Sequence, residues 1–287
     1  MMARKRMLLS VGLFPCGNEG TSYSCLGRYG PATSPAVMLK AALQRVLDHL
    51  GFQVVRSRTA FSPEELEIIS KVRGYTSSSA ERIVGLINAV KYLVANRIEG
   101  AFVECGVWRG GSMMAAMYAL LNLGDTTREF YLYDTFEGMT PPTDRDVMFD
   151  GRKAADILKA FPKVEGPANY WCIASIEDVQ RNVTATGYPA DKIRLIAGPV
   201  EQTLPAQAPA RIALLRLDTD WYESTKHELI HLYPRLVDHG VLIIDDYGHW
   251  RGAREAVDEF FGQMRFRPML HRLDYTGRLV IKPRTDN

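Results

Sequence analysis

The chain has 287 residues, long enough for one large α/β core with additions. Its 46% hydrophobic content, 24% charged content and net charge of +2 are those of an ordinary globular protein, and they exclude a partner recruited by bulk charge, whether nucleic acid or an anionic membrane. The four cysteines, Cys16, Cys25, Cys105 and Cys172, lack metal-ligand spacing, and a chain of this size needs no disulfides, so a reducing cytoplasm is the expected setting.

The first residues, Met-Met-Ala-Arg-Lys-Arg followed by an apolar stretch over 7–14, have the outline of a secretory leader. The stretch is short, no small-residue cleavage site follows it, and no segment reaches the ~20 apolar residues of a membrane span. A basic leader or a short strand is therefore expected. Residues 15–35, rich in Gly, Ser, Pro and Tyr, read as a loop or mobile lid. Helical spacing of Val37, Leu39, Leu43, Val46, Leu47 and Leu50, stopped by Gly51, predicts a helix over 37–50. A second helix is predicted from Ser62-Pro63, where serine caps and proline fits the first turn. A third follows Tyr75, with Ser78 and Glu81 spaced as a capping box and Ile83, Val84, Ile87, Val90, Leu93 and Val94 on the inner face. Together they make residues 1–99 an N-terminal segment with a helical cover.

From Gly100 the pattern becomes strands alternating with helices, which predicts a doubly wound, mostly parallel sheet over 100–287. Strands are expected at 100–104, 130–134 and 192–197 and in two apolar runs farther on. Helices are expected at 112–123, after a cap at Ser175, at 224–236 and at 253–264. A terminal pair of strands, 269–274 and 278–282, is joined by a Tyr-Thr-Gly turn.

The two apolar runs end on paired acids: Ile212-Ala-Leu-Leu-Arg-Leu-Asp218-Thr-Asp220 and Gly240-Val-Leu-Ile-Ile-Asp245-Asp246. Continuous apolar runs read as strands buried on both faces, and ligands of such sheets sit at the carboxyl ends of the strands. Four aspartates delivered there would repel one another unless something positive sat among them, and a hard divalent cation suits an all-oxygen set.

Upstream, Val103-Glu-Cys-Gly-Val-Trp-Arg-Gly-Gly-Ser112 is a strand end turning through glycines into a helix. Such a turn lets a ligand approach the backbone beside unpaired N–H groups, but Trp108 interrupts the dinucleotide glycine spacing and argues against NAD or FAD. Asp134, ending the next strand, suits either a ribose hydroxyl or a solvated cap of its own turn. The loop over 140–150 is expected either to shape an acceptor pocket or to be a plain surface connection. His249 reads more naturally as structural than as a second base. Trp221, Tyr222 and Tyr247 suit either a sugar wall or the core.

The chain resembles the macrocin O-methyltransferase family over roughly residues 60–285. The landmarks are Tyr75-Thr-Ser-Ser-Ser-Ala-Glu-Arg82, Val103-Glu-Cys-Gly-Val-Trp-Arg-Gly-Gly111, Tyr133-Asp-Thr-Phe-Glu-Gly-Met139, Asp218-Thr-Asp-Trp-Tyr-Glu-Ser-Thr225 and Ile243-Ile-Asp-Asp-Tyr247. The resemblance implies a class I methyltransferase fold with a seven-stranded sheet and helices on both faces. It also implies an S-adenosylmethionine- and magnesium-dependent enzyme, a homo-oligomer, that methylates a sugar hydroxyl of a glycosylated natural product. By resemblance, Asp218, Asp245 and Asp246 hold magnesium and Asp220 is the general base. Glu104 and Gly106 line the methionine part of the cofactor, Asp134 binds its ribose, and Thr76, Ser77, Ser78 and Ser79 approach its carboxylate, with Gly110 and Gly198 completing the set. Rival readings are a catechol or polyhydroxylated aglycone as acceptor, a metal phosphohydrolase, and a non-catalytic binding module.

Overall fold

The computed structural model describes residues 61–164 and 170–284. The basic leader, the loop at 15–35, the helix expected at 37–50 and the cysteines Cys16 and Cys25 lie outside the described residues. The chain divides into two compact units, Met1–Ser62 and Pro63–Asn287, and the second carries every element described below.

In chain order these are α1 (Pro63–Val72), α2 (Ala80–Ala95), β1 (Ala101–Cys105), α3 (Gly111–Asn122), β2 (Phe130–Asp134), α4 (Ala154–Lys159), α5 (Ile176–Thr184), β3 (Ile193–Ala197), α6 (Val200–Thr203), β4 (Ile212–Leu217), α7 (Tyr222–Leu232), β5 (Leu236–Ile244), α8 (Arg251–Gly262), β6 (His271–Arg272) and β7 (Arg278–Ile281). They form one seven-stranded sheet in the order β3-β2-β1-β4-β5-β7-β6. The strands β1 to β5 are parallel, and β7 runs antiparallel to both β5 and β6. This is the α/β architecture of class I methyltransferases that the resemblance implied.

The order explains where a ligand sits. From β1 the chain builds outward through β2 and β3, then returns to add β4 and β5 on the other side. A crevice opens at the carboxyl ends where the direction reverses, between β1 and β4. Alternation along the strands divides the core. Phe102, Leu214 and Ile243 face α1, α2, α3 and α5, while Val103, Cys105, Leu215, Leu217 and Ile244 face α7 and α8. Such burial contributes about 1.5–3 kcal/mol per large apolar side chain.

Local chemistry set most element ends. Ser175 accepts the Asp178 N–H and caps α5, as expected. At α2 the cap is Ser79, which accepts the Arg82 N–H at 3.2 Å, and not Ser78 of the expected capping box. The displaced Ser78 hydroxyl accepts a hydrogen bond from Arg216 instead. Helix α7 starts earlier than expected, at Tyr222, and β5 begins at Leu236. The final hairpin is shorter in its first strand, because β6 holds only two residues at an exposed edge.

The connection over 140–150 is fastened rather than loose. Asp146, fully buried, accepts the Thr143 N–H at 2.7 Å, the Thr143 hydroxyl at 2.9 Å and the Tyr222 N–H at 2.8 Å. The last of these places a carboxylate against the start of α7, where the helix dipole favours it. Short bridges pair Val147 with Lys153 and Met148 with Trp250. Trp221 packs here in a small cluster with Met148, Ile157, Leu158 and Trp250, so its role is core packing. Asp146→Ala orphans these donors and is expected to cost about 1–3 kcal/mol in chemical denaturation.

Candidate active site

The glycine turn depends on two close approaches. Gly106 has φ 81°, and a Cβ there would stand 2.0 Å from the Asp218 carbonyl oxygen, so no side chain fits between β1 and β4 at this level. Asp134 then ties β2 to the turn: its Oδ2 accepts the N–H groups of Val107 at 2.7 Å and Trp108 at 2.9 Å, and its Oδ1 accepts that of Phe136 at 2.8 Å. Burial raises the Asp134 pKa despite these bonds. Arg109 leaves the turn and reaches Asp178 of α5 at 2.8 Å, holding that carboxyl below its ordinary value.

Above the turn lies a cavity of about 380 Å³. Of the cofactor residues expected from the resemblance, Thr76, Ser77, Ser78, Gly106, Asp134 and Gly198 line it. Gly110 does not: it caps α3 with φ 87°, and a Cβ would meet Val183 of α5 at 3.1 Å. Ser79 is also outside the lining; it caps α2 and donates to Asp274 Oδ2 at 2.8 Å. Glu104 lies just beneath, 1% exposed, its Oε1 accepting from Arg216 at 2.6 Å and its Oε2 buried without a partner. Burial outweighs the arginine and pushes this carboxyl up to about 7.

The acid-ended strands meet as expected. Carboxylate oxygens of Asp218, Asp245 and Asp246 lie within 4.8 Å of one another at the ends of β4 and β5. Asp220, in the left-handed region at φ 67°, lines the same cavity. Its backbone N–H donates to Asp246 Oδ2 at 3.3 Å, and its Oδ1 accepts the Trp250 indole N–H at 2.7 Å. Burial pushes Asp220 up to about 7 and raises Asp218 and Asp246 well above the ordinary carboxylate range, with neighbouring carboxylates adding to the effect.

The aspartates were expected to need a metal ion because nothing else positive was in view, but two guanidiniums stand among them. Arg216 donates to Glu104, to Asp218 at 2.6 Å and to Asp245; Arg82 donates to the other oxygen of Asp245 and lies 3.0 Å from Asp274. Two cations still face six carboxyls: Glu104, Asp218, Asp220, Asp245, Asp246 and Asp274. The donor set is all oxygen, convergent and over-negative, and so fits a hard dication. Arg216 was the single charge inside an apolar run, and that was its signal. Arg82 sat in a quoted motif without a role, and the Trp250 contact had no sequence signal at all.

His249 also lines the cavity, and burial lowers its pKa. Tyr222 and Tyr247 are turned to Glu259 and Asp258 through their hydroxyls. Among the described cysteines, Cys105 and Cys172 are free. No described helix is long and apolar enough to cross a membrane.

Two outcomes test this account. Arg216→Met leaves the buried Glu104 and the partly buried Asp218 without their counter-charge and Asp245 with Arg82 alone, and is expected to destabilise the fold by about 3–5 kcal/mol, read by denaturant unfolding. Because Asp178 is held below its unfolded pKa, its contribution is present above about pH 4 and is lost as pH falls through the lowered value. The Tm gap between the wild type and Asp178→Asn should therefore close on acidification.

Comparison with known proteins places this geometry. Residues 48–281 match the macrocin-O-methyltransferase family. The chain is 34% identical over 203 residues to the 8-demethyl-8-(2,3-dimethoxy-alpha-L-rhamnosyl)-tetracenomycin-C 4'-O-methyltransferase of Streptomyces olivaceus, covering 71% of this chain and 74% of that one. It is 32% identical over 186 residues to the mycinamicin III 3''-O-methyltransferase of Micromonospora griseorubida, covering 65% and 70%. Among solved structures it is similar to the O-methyltransferase NovP, with TM-score 0.64 and 28% identity over 73% of this chain and 83% of that one. With a match that spans the glycine turn, both acid-ended strands and the closing hairpin, the chain belongs to the macrocin-O-methyltransferase family.

Proposed function

We propose that the protein transfers a methyl group from S-adenosylmethionine to a hydroxyl of a sugar in a glycosylated small molecule, with magnesium as the assisting ion. The observation that carries this reading is the meeting, in one cavity, of the Gly106–Asp134 turn with the carboxylates of Asp218, Asp220, Asp245 and Asp246. The first half suits a nucleoside cofactor and the second a polyhydroxylated acceptor. The sugar follows the relatives, one of which is named for a rhamnosylated tetracenomycin. A phosphohydrolase would have no use for the turn.

Asp218, Asp245 and Asp246 would hold magnesium, which when bound orients and acidifies neighbouring sugar hydroxyls. The remaining work falls to the chain. Asp220, held by Trp250, receives the hydroxyl proton as the oxygen attacks; an alcohol is a poor nucleophile at neutral pH without such a base. Gly106 lets β1 and β4 close into the seam against which the cofactor lies, and Thr76, Ser77 and Ser78 flank it from the segment before α2. In-line transfer is then chiefly a matter of holding oxygen, methyl carbon and sulfur in register.

Calorimetry should show binding of S-adenosylhomocysteine in magnesium buffer. Asp245→Asn should bind it equally well yet lose methyl transfer, and chelation of metal should have the same effect until magnesium is restored. Asp220→Asn is expected to lower kcat by about 10²–10⁴-fold. Full activity without metal and in Asp245→Asn would defeat the proposal.

A further inference from the structure

Three chain segments each deliver an aromatic ring to one patch beside the carboxylates. The 140–150 connection supplies Phe149, the turn after β5 supplies His249, and the tip of the β6–β7 hairpin supplies Tyr275. The ring centroids are 5.8 Å apart for Phe149 and His249, 6.3 Å for Phe149 and Tyr275, and 6.0 Å for His249 and Tyr275, all edge to face. His249 and Tyr275 line the cavity, and Phe149 extends the surface outward. Phe149 is 52% exposed and Tyr275 53%, unusual for large rings fixed at the mouth of a polar cleft.

The patch is held in place by backbone and side-chain bonds. The Phe149 N–H donates to the His249 carbonyl at 2.8 Å, His249 Nδ1 lies 3.1 Å from the Tyr275 hydroxyl, and the Gly248 N–H donates to the Thr276 carbonyl at 2.9 Å. A Cβ on Gly248 would stand 2.0 Å from the Tyr275 carbonyl oxygen, so that approach requires glycine. Inward, His249 packs on Trp250 at 4.9 Å, and Trp250 holds Asp220. The rings therefore lie one residue away from the reacting end of the cavity.

Charge narrows what can lie across them. The described lining carries Asp134, Glu201, Asp218, Asp220, Asp245 and Asp246 but one cation, Arg82, already engaged by Asp245 and Asp274. Arg152, near Phe149 in the chain, is paired with Asp150. Even with magnesium held by Asp218, Asp245 and Asp246 as proposed, a sugar carried on a nucleoside diphosphate would bring two negative charges to a rim with no described arginine or lysine lining free to meet them. An apolar group attached to the sugar would instead cover exposed ring surface.

We infer that Phe149, His249 and Tyr275 form the subsite for the apolar, aglycone-side part of a glycoside acceptor. A glycosyl transfer must then precede methylation. The inference rests on the proposed function and names the feature of the acceptor read by this rim. In full-length protein with S-adenosylhomocysteine and magnesium, 4-nitrophenyl α-L-rhamnoside is expected to bind more tightly than thymidine-diphosphate rhamnose. Phe149→Ala and Tyr275→Ala should each weaken the aryl glycoside about tenfold, the loss of a well-packed aromatic contact, with S-adenosylhomocysteine affinity unchanged and Tyr275→Phe retaining most of the binding. Equal aryl-glycoside affinity in the alanine variants, no aryl-glycoside binding by the wild type, or preference for the nucleotide sugar would overturn the inference. So would a dimer that dissociates in these variants while acceptor affinity is unchanged, which would assign the rim to a second copy of the chain. An aryl glycoside that binds through the rim and is never methylated would leave the subsite standing and defeat the proposed reaction.

Discussion

The site depends on one buried guanidinium. Arg216 is 3% exposed in the middle of the sheet and sits directly opposite Glu104 in the β1–β4 register. Removing a charge from water is costly unless its donors are matched by partners, and Arg216 finds them in Glu104, Asp218, Asp245 and the Ser78 hydroxyl. The planar fork of an arginine can serve several acceptors at once, which a lysine ammonium cannot do with the same geometry. It therefore gathers the ends of β1, β4 and β5 and the segment before α2 around one centre, and sets the positions from which the aspartates face the cavity.

The elements around this centre are tied to one another, not only to the sheet. Arg82 leaves the first turn of α2, bonds Asp245 and lies against Asp274 at the hairpin tip. Thr276, next along the hairpin, donates its hydroxyl to the Asp245 carbonyl at 2.7 Å. The hairpin thus does more than close the sheet edge: it fixes the backbone of one proposed metal ligand and presents Tyr275 to the mouth of the cavity. Beside the hairpin, Asp146 anchors the connection that carries Phe149 to the start of α7. The proposed acceptor side is assembled from segments distant in sequence, each pinned by a buried polar contact.

Buried acids recur under the same wall. Glu228 of α7 is fully buried, accepts the Thr219 hydroxyl at 2.9 Å and is raised well above its ordinary pKa, chiefly by burial. Thr219 lies between Asp218 and Asp220, so this contact steadies the turn that presents both. Burial thus opposes ionisation of Glu228 beside the cluster, as it does for Asp218 and Asp246.

Much of this was legible in the sequence. Apolar runs ended by acids, the glycine turn and the strand–helix alternation follow from period, turn chemistry and burial, which are local properties, and they determined the strands and the delivery of four aspartates to the crevice end of the sheet; the trio of Asp218, Asp245 and Asp246 was singled out by the family resemblance. The shift of the α2 cap from Ser78 to Ser79 was not local, because the bond from Arg216 of β4 to the Ser78 hydroxyl comes from across the sheet. Nor was the source of positive charge among the acids: Arg216 stood unremarked inside an apolar run, and only the register places it against Glu104. Trp250 on Asp220, Arg82 on Asp245 and the Phe149–His249–Tyr275 rim join residues from separate segments, and no period or motif encodes such pairs. The sequence by itself determined the elements and the chemistry at their ends; which of those ends face one another was decided by strand order and register, the long-range constraint that only the tertiary structure carries.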